Sequence, residues 1–129
     1  MYISYLANYK VGRYRYTYHW YTDWNNARQT CLDEGGDLVS FENDVEFRIV
    51  KAREFVIFKH HEYWIGLNDK KVEGYWQWTD NSALKWRNWA NGEPKSSSDK
   101  DCAYIKENQW YVSKCEDSKR VICKMIGMC

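Results

Sequence analysis

The sequence predicts a single α+β domain stapled by disulfides, and three observations carry that prediction. Helical periodicity occupies two stretches of the first half, the part beyond Tyr63 breaks into short strands around a long irregular loop, and five cysteines stand in 129 residues. That length suits one compact core and is too short for two cores and a linker, so residues 1–129 are read as one domain.

From Tyr2 to Tyr21 the chain is dense in Tyr and Trp, and Tyr14, Tyr16 and Tyr18 alternate with the period of a strand that buries one face. Thr22 or Asp23 then caps a short helix in which Trp24, Ala27 and Cys31 fall on one side, and Gly35-Gly36 ends it. Leu38 to Phe41 reads as a brief strand. Glu42 or Asn43 starts a second helix with Val45, Ile49, Ala52 and Val56 along its apolar face. Further strands are expected at Trp64–Leu67, Tyr75–Thr79, Cys102–Lys106, Trp110–Ser113 and Arg120–Met125. Between them, residues 80–101 form a loop too long to be a mere connector, and Trp86, Trp89 and Pro94 point to an ordered one. Ser96-Ser97-Ser98 reads as a small loop tip.

Nineteen basic against eighteen acidic residues give a formal net charge of +1, which leaves no field to attract nucleic acid. No apolar run reaches the ~18 residues of a membrane span. Met1 to Lys10 lack the basic start and apolar core of a secretory signal, so the expected N-terminus is a mature or recombinant one. The aromatic share of 18% exceeds what one core of this size absorbs, which puts rings at the surface or in a site. The cysteines show neither C-x-x-C nor a His-spaced metal pattern, so they predict an oxidising, secreted, extracellular setting. Their odd number leaves one thiol over. Cys129, the last residue, is the candidate for an interchain bridge and a disulfide-linked dimer. His19, His60 and His61 fall in no pattern with a nucleophilic Ser or Cys, so an enzyme is not expected.

The two helices, Trp64-Ile65-Gly66-Leu67, Glu93-Pro94 on the long loop, Trp110 ahead of Cys115, and Cys123 near the end together resemble the C-type lectin domain. The match runs from about Tyr14 to Lys124. It implies two helices flanking small antiparallel sheets with a long irregular loop region, and it implies the pairs Cys31–Cys123 and Cys102–Cys115. Trp64, Trp76, Trp78 and Trp110 stand where that family has core residues, while Trp86 and Trp89 are open to either role.

Sugar-binding members of the family hold one calcium ion with five side chains that also bond two sugar hydroxyls. On that pattern Glu93 is kept and Pro94 matches a proline preceded by a cis peptide bond. The other four ligand positions carry Lys95, Lys100, Tyr111 and Val112. Calcium takes six to eight oxygens, and two ammonium groups in place of carboxylates add repulsion to the loss of ligands. No metal is expected there, and no cofactor. Asp69 and Glu73 are spaced like two ligands of an auxiliary calcium site, but Ser96 and Lys100 replace other members of that set. A solvated turn with Asp69 bonding its own backbone is the expectation.

The resemblance therefore implies a calcium-independent lectin whose carbohydrate-binding residues are Glu93, Lys95, Asp99, Lys100, Asp101 and Tyr111. Charged groups supply strong hydrogen bonds, and the Tyr111 ring supplies a wall for an acetamido methyl, which favours N-acetylated hexoses such as GlcNAc or GalNAc. Two further readings stand beside it. One is recognition of a protein without any sugar, through a flat aromatic and charged surface; pairing of Lys95 and Lys100 with Glu93 and Asp99 would make the loop itself structural. The other is attachment to an ice or mineral surface.

Overall fold

The computed structural model describes residues 8–11, 13–58, 61–95 and 97–127, and side chains within 13–52, 61–95 and 97–127. Cys129, Ser96, His60 and the Val56 side chain lie outside these, so the expected interchain bridge lies outside the described residues. In chain order the elements are β1 (Asn8–Val11), β2 (Tyr14–Thr22), α1 (Trp24–Asp33), β3 (Asp37–Leu38), α2 (Asp44–Phe58), β4 (Glu62–Asn68), β5 (Gln77–Trp78), β6 (Cys102–Lys106), β7 (Gln109–Ser113) and β8 (Lys119–Ile126). The expected small sheets join into one eight-stranded sheet, ordered β1-β2-β8-β4-β6-β7 with β3 added on β8 and β5 on β4. Every pairing is antiparallel except β4 with β8. No described helix is long and apolar enough to cross a membrane.

The middle of this sheet is buried on both faces, and its composition shows why. Tyr63 to Leu67 of β4 and Val121 to Cys123 of β8 are almost unbroken apolar runs, as strands covered on both sides require. Gly66 fits there because a Cβ would lie 2.6 Å from Thr79 Oγ1 and 3.1 Å from Leu38 O. Helix α1 starts at Asp23, whose carboxylate accepts the Asn26 N–H at 2.8 Å, and it ends before Gly35 at φ +92°, a backbone state that suits glycine. Its buried residues are the expected Trp24, Ala27 and Cys31. Trp24 Nε1 donates to Ile65 O and Trp64 Nε1 to Thr22 O, so two large rings are buried without stranding their donors.

Both disulfides expected from the resemblance are present. Cys31–Cys123 spans a sequence separation of 92 and ties α1 to β8. Constraining so long a loop is worth about 4 to 5 kcal/mol in the chain-entropy view. Cys102–Cys115 spans 13 and holds β6 beside the turn that receives the Trp24 N–H at Cys115 O.

Helix α2 exists as expected, capped by Asn43, whose side-chain oxygen accepts the Glu46 N–H at 2.9 Å. Its inner face is not the expected one. Val45 and Ile49 are 55% and 42% exposed, whereas Glu46, Phe47, Val50 and Lys51 are buried. Phe47 and Val50 form a second apolar stripe that docks on Phe41 and Trp86. Glu46 is tolerated inside because Lys124 Nζ reaches its carboxylate at 2.8 Å, Tyr16 donates its hydroxyl to the same group, and Glu42 donates its N–H at 2.8 Å.

Candidate functional site

The long loop is ordered by aromatic packing and a few backbone bonds. Trp86 and Trp89 sit against Trp110 with ring centroids 5.4 and 5.9 Å apart. Trp110 N–H donates to Asn88 O and Ala90 N–H donates to Trp110 O, both at 2.9 Å, so the loop borders β7. Glu93 N–H then closes a turn on Ala90 O at 2.9 Å, and the Glu93–Pro94 peptide is cis, as the resemblance implied.

These restraints fix the Glu93 carboxylate. Its side chain is only 2% exposed. It accepts the Val112 N–H at 3.3 Å, the Lys95 N–H at 3.2 Å and a bond from the Lys95 ammonium. Lys95 is 57% exposed, so the ammonium lies over the carboxylate and faces outward. One carboxylate and one ammonium thus neutralise each other at the position where the family pattern has a calcium ligand.

Tyr111, beside Val112 on β7, is half-buried and stacks on Tyr104 of β6 at 5.6 Å and 22°, because the two residues are directly paired. Burial, followed by the negative charges of Glu62 and Glu93, pushes the Tyr104 hydroxyl up to about 12, so it stays a neutral donor at physiological pH. Asp99 sits on an outer turn at 60% exposure, 3.9 Å from Lys114 Nζ. The Ser97 hydroxyl holds its carboxyl below the usual range, with Lys114 and Lys100 adding to the effect. Lys100 contributes its N–H to Ser97 O and is half-buried.

Asp101 goes elsewhere. The register Asn68↔Cys102 places Asp69 across from Asp101, and Asp69 N–H donates to Asp101 O at 3.0 Å. Carboxylate oxygens of Asp69, Glu73 and Asp101 all lie within 4.8 Å of one another. The expected bond of Asp69 to the backbone of its own turn is present, its Oδ2 accepting the Gly74 N–H at 2.8 Å, but the turn is not solvated there: Asp69 is 3% exposed, and its buried Oδ1 has no hydrogen-bond partner among the described residues. Three carboxyl groups gathered within reach of one point, one of them buried, fit a hard cation such as calcium.

Residues 21–125 match the family described as the Lectin C-type domain. The chain belongs to the C-type lectin domain family. Among relatives, C-type mannose receptor 2 of Homo sapiens is 34% identical over 108 residues, covering 81% of this chain and 7% of that protein. CD209 antigen-like protein A of Mus musculus is 32% identical over 108 residues, covering 81% of this chain and 44% of that protein. The chain thus spans less than half the length of either relative. Among solved structures, the cow CD23 carbohydrate-recognition domain, crystallised in the presence of a GlcNAc2Man3 oligosaccharide, matches with TM-score 0.86 and 26% identity over 95% of both chains. The lectin CEL-I of Cucumaria echinata matches with TM-score 0.87 and 26% identity over 92% of this chain and 94% of that one. A calcium-independent type II antifreeze protein shares the fold at TM-score 0.86 and 23% identity, covering 95% of this chain and 93% of that one.

Of the six residues expected to bind sugar, the fold brings Glu93, Lys95 and Tyr111 together at the middle of β7, sets Asp99 and Lys100 on one turn, and gives Asp101 to the acidic cluster. Sequence reasoning missed Tyr104 and Lys114. Strand pairing marks the first, since the β6 residue paired with Tyr111 must share its face.

The acidic cluster has a measurable signature. Burial chiefly raises the pKa of Asp69, Glu73 and Asp101; the charge of a neighbouring carboxylate adds to it in each case, while one hydrogen bond within the cluster opposes it in each, as does the Gly74 N–H bond at Asp69. A carboxyl with a raised folded pKa favours the folded state at low pH, and that advantage is lost as pH rises from about 4 through the raised values. Without divalent ions, Asp69→Asn is expected to raise the melting temperature by a few degrees at pH 7 and to leave it unchanged near pH 4. The same substitution should abolish any rise produced by added calcium. Thermal melts with EDTA and with calcium check both, and equal curves for parent and variant at pH 7 count against the cluster.

Proposed function

We propose that this domain is an extracellular lectin that binds a saccharide without calcium at the Lys95–Glu93 pair. The observation that carries the reading is the exposed Lys95 ammonium seated on the buried Glu93 carboxylate. An ammonium has three N–H donors; Glu93 takes one and two remain for a pair of neighbouring sugar hydroxyls. The metal of related domains also serves two hydroxyls, so the ammonium can meet the same pair of groups by donating N–H bonds in place of coordination. The Tyr111 ring, held flat by Tyr104, offers a face to sugar C–H groups or to an acetamido methyl, which favours GlcNAc or GalNAc. Support comes from family membership and from the likeness to a CD23 domain crystallised with a GlcNAc-containing oligosaccharide. Two disulfides agree with an oxidising setting.

A glycan array run in EDTA tests this directly. The expected signal survives EDTA, and Lys95→Ala weakens it by about tenfold or more, the loss of one charge-assisted bond. A signal that EDTA removes, or a blank array, overturns the proposal. A second reading, recognition of a protein, draws on Trp20 at 70% and Tyr21 at 41% exposure, adjacent rings with Arg120 above both. A blank array would leave that patch as the leading surface.

A further inference from the structure

A cleft between the Gly74–Trp78 segment and the Asn81–Pro94 loop takes no part in the reading above. Its volume is about 710 Å³, within the ~300–1,000 Å³ of typical small-molecule sites. Tyr75, Trp76 and Trp89 give it an aromatic wall, and Asn81 and Arg87 give it polar groups. The wall is built in advance of any ligand: Trp76 and Trp89 pack edge to face at 5.2 Å, and Trp89 is fixed in turn by Trp110. Tyr75 stands at 60% exposure at the rim. Preformed rings of this kind lose little freedom on binding.

The charge of the cleft is one-sided. No carboxylate is among the described residues that line it. Arg28 and Arg48 are held in ion pairs, whereas Arg87 is exposed and makes no ion pair or hydrogen bond among the described residues. Its guanidinium therefore keeps its full planar fork of donors, the geometry that fits a carboxylate or sulfate. A bare anion would have no use for the rings, and a neutral ring would leave Arg87 unused. A sugar ring carrying an acidic group satisfies both, with its hydroxyls placed to meet the Asn81 amide. Pro94 lines this cleft and is bonded to Glu93, so the cleft adjoins the Lys95 position.

We propose that this cleft is a second saccharide subsite, selective for an acidic sugar whose carboxylate or sulfate binds Arg87, beside the sugar held at Lys95. The link to a neighbouring sugar rests on the function proposed above; the cleft's own selectivity does not. The probes are a glucuronic acid–GlcNAc disaccharide, its neutral glucose–GlcNAc counterpart, free GlcNAc and inorganic sulfate, followed by calorimetry and by NMR of the Trp76 and Trp89 indole N–H signals.

The acidic disaccharide should bind about tenfold tighter than the neutral one, the scale of one charge-assisted contact, and Arg87→Ala should erase that difference. Tyr75→Ala should weaken both disaccharides severalfold. Both changes are at exposed side chains and should leave the fold intact. Indole signals that move with the acidic disaccharide while free GlcNAc fails to bind would uphold the cleft and remove the Lys95 reading. Equal affinity for the two disaccharides, no effect of Arg87→Ala, or unmoved indole signals would overturn the cleft. Shifts of the same size with sulfate alone would overturn it too, as a simple anion site.

Discussion

Trp110→Ala should cost about 3–5 kcal/mol, the range for truncating a fully buried aromatic, out of the roughly 5–15 kcal/mol that holds a domain of this size together. Trp110 is 0% exposed, and its ring meets those of Phe41, Phe47, Trp78, Trp86 and Trp89. It is where helix α2, strand β5, the long loop and β7 converge. Removing it opens a cavity that none of them can fill, since each is anchored elsewhere. The indole N–H has no acceptor among the described residues, so the loss is chiefly one of packing. Trp110→Phe should therefore be clearly milder than alanine. Urea unfolding followed by far-UV circular dichroism reads both variants, and a loss below about 1 kcal/mol for Trp110→Ala would contradict this view of the core.

Lys124→Ala should be comparably damaging for a different reason. Glu46 and Lys124 are 11% and 9% exposed, and the ammonium also donates to Ser40 O at 3.1 Å and lies 4.3 Å from the centre of the Tyr14 ring. Deleting the ammonium leaves Glu46 charged and nearly out of water, which costs about 3–5 kcal/mol. Replacing both partners, as Lys124→Met with Glu46→Gln, should recover most of the loss, because no uncompensated charge remains. The comparison of single and double variants by urea unfolding carries the prediction. A double variant as unstable as Lys124→Ala would show that packing, rather than charge, is the larger part.

The same pair explains what the sequence could and could not convey. Helix α1 was legible because Trp24, Ala27 and Cys31 form a single apolar stripe beside an Asp cap. Helix α2 carries two competing stripes, and periodicity favours Val45 and Ile49 over Phe47 and Val50. The choice was made by Lys124, far along the chain, which makes it tolerable to turn Glu46 inward. Strands β6, β7 and β8 were placed to within a residue, since their apolar runs are short and cleanly bounded. Glu93 and Lys95 were reached through the family resemblance, which sets both at calcium-ligand positions and left their pairing as an alternative to sugar binding. The place of Asp101 was not legible, because its neighbour in sequence, Lys100, suggested the sugar loop, while the pairing of β4 with β6 set it against Asp69. The aromatic cleft was invisible for a similar reason: Tyr75 and Arg87 come from segments that only the fold brings together.

The Cys31–Cys123 bond has a mechanical consequence. Arg13 O and Gly127 N–H are bonded at 2.7 Å, and β2 and β8 run antiparallel from there, with Thr17 opposite Cys123. A pull on the flanking chain could strip β8 only as far as Cys123 and the N-terminal side only as far as Cys31, where the crosslink takes the load. The residues proposed to hold a saccharide or a cation, from Asp69 to Lys114, lie inside the covalent loop between the two cysteines. Tension that peels the base of the domain is thus diverted through sulfur, and the binding face can stay folded under load.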